Sequence, residues 1–231
     1  MSEGLHVGII MDGNRRFAKR LMKEPWKGHE YGAQKFEEML SWCEEAGIKE
    51  ATIYALSIQN LNRPKHELDF LLNLFRKELK NWGEESTIMT KRLKVNHIGR
   101  KDLLPSDIAQ GIADLEEKTS KHDNFIVNLC IAYGGQEEIV EAVHKIANDV
   151  KEGRVNPLEI DIDLINNYVY LKDQPDLIIR TGGDIRTSNF LVWQSAYSEW
   201  FFVDKLWPEL DKETFLNCID DFKSRDRRFG K

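Results

Sequence analysis

An apolar run over residues 5–11 ends abruptly in Asp12-Gly13-Asn14-Arg15-Arg16: a carboxylate, a glycine, an amide and two guanidiniums in succession. Such groups suit an anion and a divalent metal held together, because guanidinium takes phosphate oxygens bidentately and a carboxylate takes a hard cation. Val7, Ile9, Ile10 and Met11 read as a buried parallel strand, which puts Asp12 at its carboxyl end, where open α/β sheets bind ligands. Gly13 lets the backbone approach a ligand. Arg15 and Arg16 then open a helix whose first turn already carries positive partial charge. A strand-to-helix turn alone accounts for Gly13 and for Asp12 as a cap, but it leaves two arginines electrostatically misplaced unless an anion joins them.

Residues 176–190 repeat this logic, with an apolar strand ending in Arg180, a Gly182-Gly183 pair, then Arg186, Thr187 and Ser188. Two arginines, a flexible turn and hydroxyl donors suit a diphosphate. Neither segment has the P-loop lysine pattern, so two anion sites and one carboxylate point to two phosphorylated substrates rather than to nucleotide hydrolysis. Glu199 stands among Trp193, Tyr197, Trp200, Phe201 and Phe202; a carboxylate so placed needs a partner, either a metal shared with Asp12 or an arginine. Residues 57–64, Ser-Ile-Gln-Asn-Leu-Asn-Arg-Pro, form a polar loop before a helix striped with Leu68, Leu71, Leu72, Phe75, Leu79 and Trp82. Loop and stripe could bind a polar head and a greasy tail. Equally, Asn60 and Asn62 are turn formers, Arg63-Pro64 starts a helix, and the stripe is core.

The elements that must position these groups alternate. Strands are predicted over residues 50–57, 92–98, 125–132 and 176–179, and helices over 29–46, 65–82, 105–120, 136–151 and 212–227. This βαβα order predicts an α/β fold, residues 1–231 forming a single domain around a central, mostly parallel sheet flanked by helices. At 231 residues and 41% hydrophobic the chain can bury one large core. A net charge of −6 argues against a nucleic-acid binder. Three separated cysteines without a CxxC pair indicate neither a disulfide framework nor a zinc site and fit a cytoplasmic setting. No apolar run reaches membrane-spanning length, although peripheral contact with a membrane stays open.

The ordered motifs HVGIIMDGNRRFAK, YALSIQNLNRP, AYGG, IRTGGDIRTSNFLVWQSAYSEWFF, LWPEL and RRFG closely resemble the cis-prenyltransferase family, the undecaprenyl and dehydrodolichyl diphosphate synthases, from His6 to Gly230. The resemblance implies a hydrophobic tunnel for the growing isoprenoid, and Mg²⁺-dependent cis head-to-tail condensation of isopentenyl diphosphate with an allylic prenyl diphosphate. It makes Asp12 catalytic and a metal ligand, with Glu199 the second metal-linked carboxylate. Gly13, Asn14, Arg15, Arg16, Phe17 and His29 match the allylic diphosphate site. Ser57, Ile58, Gln59 and Arg63 match the loop at the reacting centre, where Asn60 holds the position assigned to proton removal; a neutral amide being a poor base, orientation or relay suits it better. Arg180, Arg186, Thr187 and Ser188 match the isopentenyl diphosphate site. Arg228, Phe229 and Gly230 match a tail that reaches the partner's site in a homodimer.

This chain departs from the family's pattern in places. Arginine at 15 resembles the dehydrodolichyl and archaeal-type branch. Pro25 stands where an allylic-site arginine is usual, so Lys23 or Lys27 would supply the charge or the anion would bind more weakly. Gln59 replaces a common glutamate, Leu61 an aromatic, and Asp184 shortens a glutamate. The aspartate-rich DDxxD motif of trans-prenyltransferases is absent, since Asp220-Asp221 is followed by Ser224. Two other readings are a non-catalytic subunit of a heteromeric enzyme, disfavoured by the retained Asp12, Asn14, Arg16, Asn60, Arg180 and Glu199, and transfer to an acceptor other than isopentenyl diphosphate, disfavoured by the complete Arg180, Arg186 and Ser188 set.

Overall fold

The computed structural model describes residues 4–84 and 86–225. Six strands among them, β1 (Leu5–Ile10), β2 (Ile48–Ser57), β3 (Leu93–Ile98), β4 (Phe125–Tyr133), β5 (Leu177–Arg180) and β6 (Glu199–Phe202), make one sheet in the order β3-β4-β2-β1-β5-β6. Every pairing is parallel. The helices are α1 (Asn14–Arg20), α2 (Gly28–Glu45), α3 (Lys65–Trp82), α4 (Thr87–Thr90), α5 (Ser106–Thr119), α6 (Gly135–Lys151), α7 (Ile162–Asn166) and α8 (Lys212–Ser224).

β1 is central because its residues tolerate no water on either face: His6 through Ile10 are all buried, flanked by β2 on one side and β5 on the other. The chain leaves β1 towards β2 and returns to β5 on the opposite side, so the carboxyl end of β1 is a topological switch point, where a crevice opens above the sheet. The larger core lies under α2, α3, α5 and α8, with Phe36, Met39, Leu72, Ile112 and Phe215 packed on Val7, Ile9, Ile53, Val127 and Ile179. A smaller cluster on the other face gathers Ile10, Cys130, Tyr133, Ile178, Phe190 and Leu191.

The predicted helix over 65–82 matches α3, and the other long elements agree within a few residues. The helix predicted over 212–227 ends at Ser224, because Arg225 is already extended, and residues 226–227 lie outside those described. The strand β6 was not expected. Its four residues carry no alternation that a period-two pattern can detect, and they become a strand because β5 offers them a parallel edge, Leu177 to Glu199 through Arg180 to Phe202.

On the second face a row of polar side chains crosses four strands. Asn96 donates to Asn128 at 3.0 Å, Asn128 donates to Thr52 at 3.0 Å and to Glu50 at 2.5 Å, and Thr52 meets His6 Nε2 at 2.7 Å. Pairing within the row satisfies groups that would otherwise be costly to bury. Burial holds His6, His29 and His97 neutral, each with its pKa lowered to about 4. Because these values lie below that of an exposed imidazole, the unfolded chain binds more protons between about pH 4 and 6.5, and stability falls as pH drops through that window. Glu50 and Glu138, raised by burial, oppose this in part. The urea midpoint is therefore expected to be lower at pH 5 than at pH 7; an equal or higher midpoint at pH 5 would show that the buried histidines do not dominate the pH dependence.

Candidate active site

At the end of β1 the backbone turns sharply. Gly13 sits at φ 112°, and a Cβ there would lie 2.9 Å from the Leu206 backbone, so only glycine lets the turn press against that segment. The turn is pinned by its own carbonyl: Asp12 O accepts from Thr181 Oγ1 at 2.8 Å and from the Trp207 amide at 2.9 Å. Trp207 also donates its indole N–H to Gly32 O at 2.9 Å, locking α2 against the same turn. With the main chain fixed, the Asp12 carboxylate projects into the crevice.

Three arginines surround that carboxylate. Arg180, at the end of β5 and 2% exposed, donates Nη2 to Asp12 Oδ2 at 2.6 Å and Nη1 to Ser188 Oγ at 2.7 Å and Arg186 O at 2.6 Å. Arg16 reaches Asp12 Oδ1 at 3.4 Å and Gly182 O at 2.6 Å, and Arg186 lies 3.9 Å from Asp12. Burial alone would raise the Asp12 pKa, but the hydrogen bond and charge of Arg180, followed by the charge of Arg16, outweigh it and hold the carboxylate below its usual range. Asp184 bridges Arg16 and Arg186, at 3.0 Å from each. Gly182, at φ 92°, makes the approach possible, since a Cβ would fall 2.6 Å from the Arg16 guanidinium.

A second cationic group sits across the crevice. Glu67, 3% exposed at its side chain, accepts from Arg63 at 2.6 Å and lies 3.7 Å from Arg15, so one buried carboxylate aims two arginines. His29, in the first turn of α2, faces the same space, kept neutral chiefly by burial and secondarily by Arg63 and Arg15. Ser57 and Asn60 cap each other: Asn60 N donates to Ser57 Oγ at 3.1 Å and Ser57 N to Asn60 Oδ1 at 3.4 Å. The amide oxygen of Asn60 is thereby committed to the turn, and the residue lines the crevice.

The polar mouth and an apolar chamber behind it form one cavity of about 360 Å³ between the sheet, α2 and α3, the chamber walled by Phe36, Ile53, Leu74, Phe75, Trp82 and Leu129. Glu78 lines both this chamber and an exposed groove beside Glu37 and Glu84, so the apolar chamber ends at an acidic surface. The arrangement can hold anionic head groups at the mouth and a hydrocarbon behind them, with the water-excluding wall that a developing carbocation needs.

Of the residues singled out from sequence, Asp12, Gly13, Asn14, Arg15, Arg16, His29, Ser57, Asn60, Arg63, Arg180, Arg186 and Ser188 line this one cavity. Phe17, Ile58, Gln59 and Thr187 do not. Phe17 packs edge-on to Tyr31, Gln59 turns to Glu137 at 2.8 Å, and the Thr187 carbonyl accepts from Phe190 N. Within this chain Glu199 and Asp12 do not come together. Parallel register puts Glu199 beside Leu177 at the start of its strand while Asp12 lies beyond Ile10, which pairs with Arg180, so the two are at opposite ends of the sheet. The Glu199 carboxylate instead takes Arg225 at 2.9 Å. Nor do Lys23 or Lys27 replace the charge missing at Pro25. Lys23 bonds Tyr31 Oη, and neither lines the cavity. Arg228, Phe229 and Gly230 lie outside the described residues.

The sequence reading missed Glu67, whose signal was only its i+4 spacing from Arg63. It also missed Tyr54, which stacks on Phe190 with ring centroids 4.9 Å apart and donates to Ser188 O at 3.3 Å, supporting the second loop from below. Replacing Glu67 by Gln removes the charge under Arg63 and Arg15. A loss of about 1–3 kcal/mol in urea denaturation is expected, and an unchanged midpoint would show that the carboxylate does not organise these arginines.

Three comparisons bear on this geometry. A family model described as "Putative undecaprenyl diphosphate synthase" matches residues 10–230. A tritrans,polycis-undecaprenyl-diphosphate synthase (geranylgeranyl-diphosphate specific) of Methanopyrus kandleri is 50% identical over 98% of this chain and 84% of its own, and an isoprenyl transferase of Thermus thermophilus is 41% identical over 98% and 88%. The crystal structure of lavandulyl diphosphate synthase from Lavandula x intermedia, in complex with dimethylallyl diphosphate, superposes with a TM-score of 0.94 at 34% identity, covering 99% of this chain and 98% of that one.

Proposed function

Since the chain belongs to the undecaprenyl diphosphate synthase family of cis-prenyltransferases, which condense isopentenyl diphosphate with an allylic prenyl diphosphate, we propose that this enzyme uses geranylgeranyl diphosphate as its allylic starter and works at the Asp12 crevice. The observation that carries the reading is two arginine groups at the mouth of one cavity, one around Asp12 and the other held by Glu67 across the crevice. The starter is supported by the specificity in the name of the Methanopyrus kandleri relative.

Arg15, Arg16 and Arg63 hold the allylic diphosphate, and Arg180, Arg186 and Ser188 hold that of isopentenyl diphosphate. As the allylic C1–O bond breaks, diphosphate departs against Arg15, Arg16 and Arg63. The isopentenyl alkene attacks C1, a proton leaves the adjacent carbon, and a cis double bond remains. Asn60, its oxygen engaged by Ser57, orients the reacting groups through its NH₂, and a diphosphate oxygen takes the proton. The hydrocarbon occupies the chamber as far as Glu78.

The donor set fits Mg²⁺. Asp12 is ionised, partly exposed and faces the site of the diphosphate oxygens, which suits a cation usually bound by one or two carboxylates plus phosphates. Among the described residues no cluster of three potential ligands forms a closed metal cage. Asp12 would hold the ion, which when bound neutralises charge on the departing diphosphate.

A homodimer is supported by the apolar residues Val140, Val143, Val192, Tyr197 and Phe202, which are exposed on α6 and near the edge strand β6. Among the described residues no helix is long and apolar enough to cross a membrane; peripheral contact is proposed through the lipid product.

Purified enzyme with Mg²⁺, labelled isopentenyl diphosphate and starters of increasing length is expected to extend geranylgeranyl diphosphate in preference to shorter ones, and absence of incorporation with every starter would reject the reading. Asp12→Ala is expected to lose turnover by about 10³-fold or more while its circular dichroism spectrum is unchanged; near-normal activity in that variant would remove Asp12 from the chemistry.

A further inference from the structure

We propose that Glu137, in the first turn of α6, is a positioning residue that holds the two substrate loops in register, through Gln59 on one side and Asn189 on the other. The inference rests on the prenyl-transfer reading above, which assigns those loops to substrates. The carboxylate takes one hydrogen bond from each loop: Oε1 accepts from Gln59 Nε2 and Oε2 from Asn189 Nδ2, both at 2.8 Å. Gln59 belongs to the 3₁₀ turn Ile58–Asn62 that presents Asn60 and leads to Arg63. Asn189 follows Ser188, whose hydroxyl accepts from Arg180.

The second loop needs such a hold. Ser188 and Asn189 stand at φ 51° and 64°, a region that costs energy for residues other than glycine unless the surroundings enforce it. The start of α6 does this with three bonds to one residue. Asn189 O accepts from Gly135 N at 2.8 Å, Asn189 Oδ1 accepts from Gln136 N at 2.8 Å, and Asn189 Nδ2 donates to Glu137. Asn189 thus caps α6 from a different part of the chain, and the positive end of that helix favours the Glu137 carboxylate. Gly134 leaves the room, since a Cβ there would fall 2.1 Å from Glu137 Oε2.

The Gln59–Glu137 pair is matched by type. An amide at 59 donates to a carboxylate at 137, whereas a carboxylate at 59 would meet it with two acceptors and no proton. The pair lies at the surface, so its worth is in the placement of Asn60 relative to Ser188 rather than in fold stability.

A double-mutant cycle reads this directly. Wild type, Gln59→Glu, Glu137→Gln and the double variant are titrated with isopentenyl diphosphate by calorimetry, without starter, alongside KM, kcat and thermal midpoint. Gln59→Glu is expected to weaken isopentenyl diphosphate binding and raise its KM by about fivefold, a typical coupling between touching residues, with the thermal midpoint unchanged. The double variant, in which donor and acceptor exchange places, is expected to return to within about twofold of wild type. A double variant no better than Gln59→Glu, or losses that track the melting temperature in every variant, would overturn the clamp. Wild-type protein that fails to bind isopentenyl diphosphate at all would overturn the substrate assignment, and the clamp with it.

Discussion

Arg180 is the residue on which the site depends. It is almost completely buried at the end of β5, yet its guanidinium bonds the Asp12 carboxylate on one side and the Ser188 hydroxyl and Arg186 carbonyl on the other. A buried cation is costly unless paired and hydrogen-bonded, so the two loops that bond its Nη1 and Nη2 are constrained to sit where they do. Asp12 supplies the compensating charge and is kept ionised as a result. The same fork that ties β5 to the end of β1 also sets the spacing between the carboxylate and the second cationic loop.

The sheet makes this pairing geometrically simple. Ile10 and Arg180 are partners in adjacent parallel strands, so the turn after β1 and the turn after β5 open on the same side. The third contributor, the Ser57–Asn60 turn, follows β2 on the other flank of β1. Three consecutive strand ends therefore converge on one crevice, and α2 and α3 roof the apolar chamber behind it. Charge is concentrated at the mouth, and apart from Glu78 the chamber walls are apolar, a separation that suits a substrate with an anionic head and a hydrocarbon tail.

Much of this was legible in the residues because strand ends announce themselves: Asp12 and Arg180 each terminate an apolar run, and each is followed by glycine and further arginine. What stayed hidden depends on register and side-chain partners. Whether Glu199 could share a metal with Asp12 turned on which end of β6 it occupies, and four residues carry no sign of direction or neighbour. Glu67 looked like one more charge at the start of an amphipathic helix, and only burial shows it under Arg63 and Arg15. Gln59 stood out as a departure from the resembled pattern, but its reason lies 78 residues away in Glu137.

If the Arg180 fork organises the site, then positive charge alone at that position is not enough. Arg180→Lys keeps the charge but replaces the planar fork with a single point donor, so it separates geometry from electrostatics. With the fold verified by circular dichroism, kcat/KM for isopentenyl diphosphate is expected to fall by about 10²-fold or more, the scale of disrupting one buried, hydrogen-bonded charge pair. A lysine variant that turns over within a few-fold of wild type would contradict it.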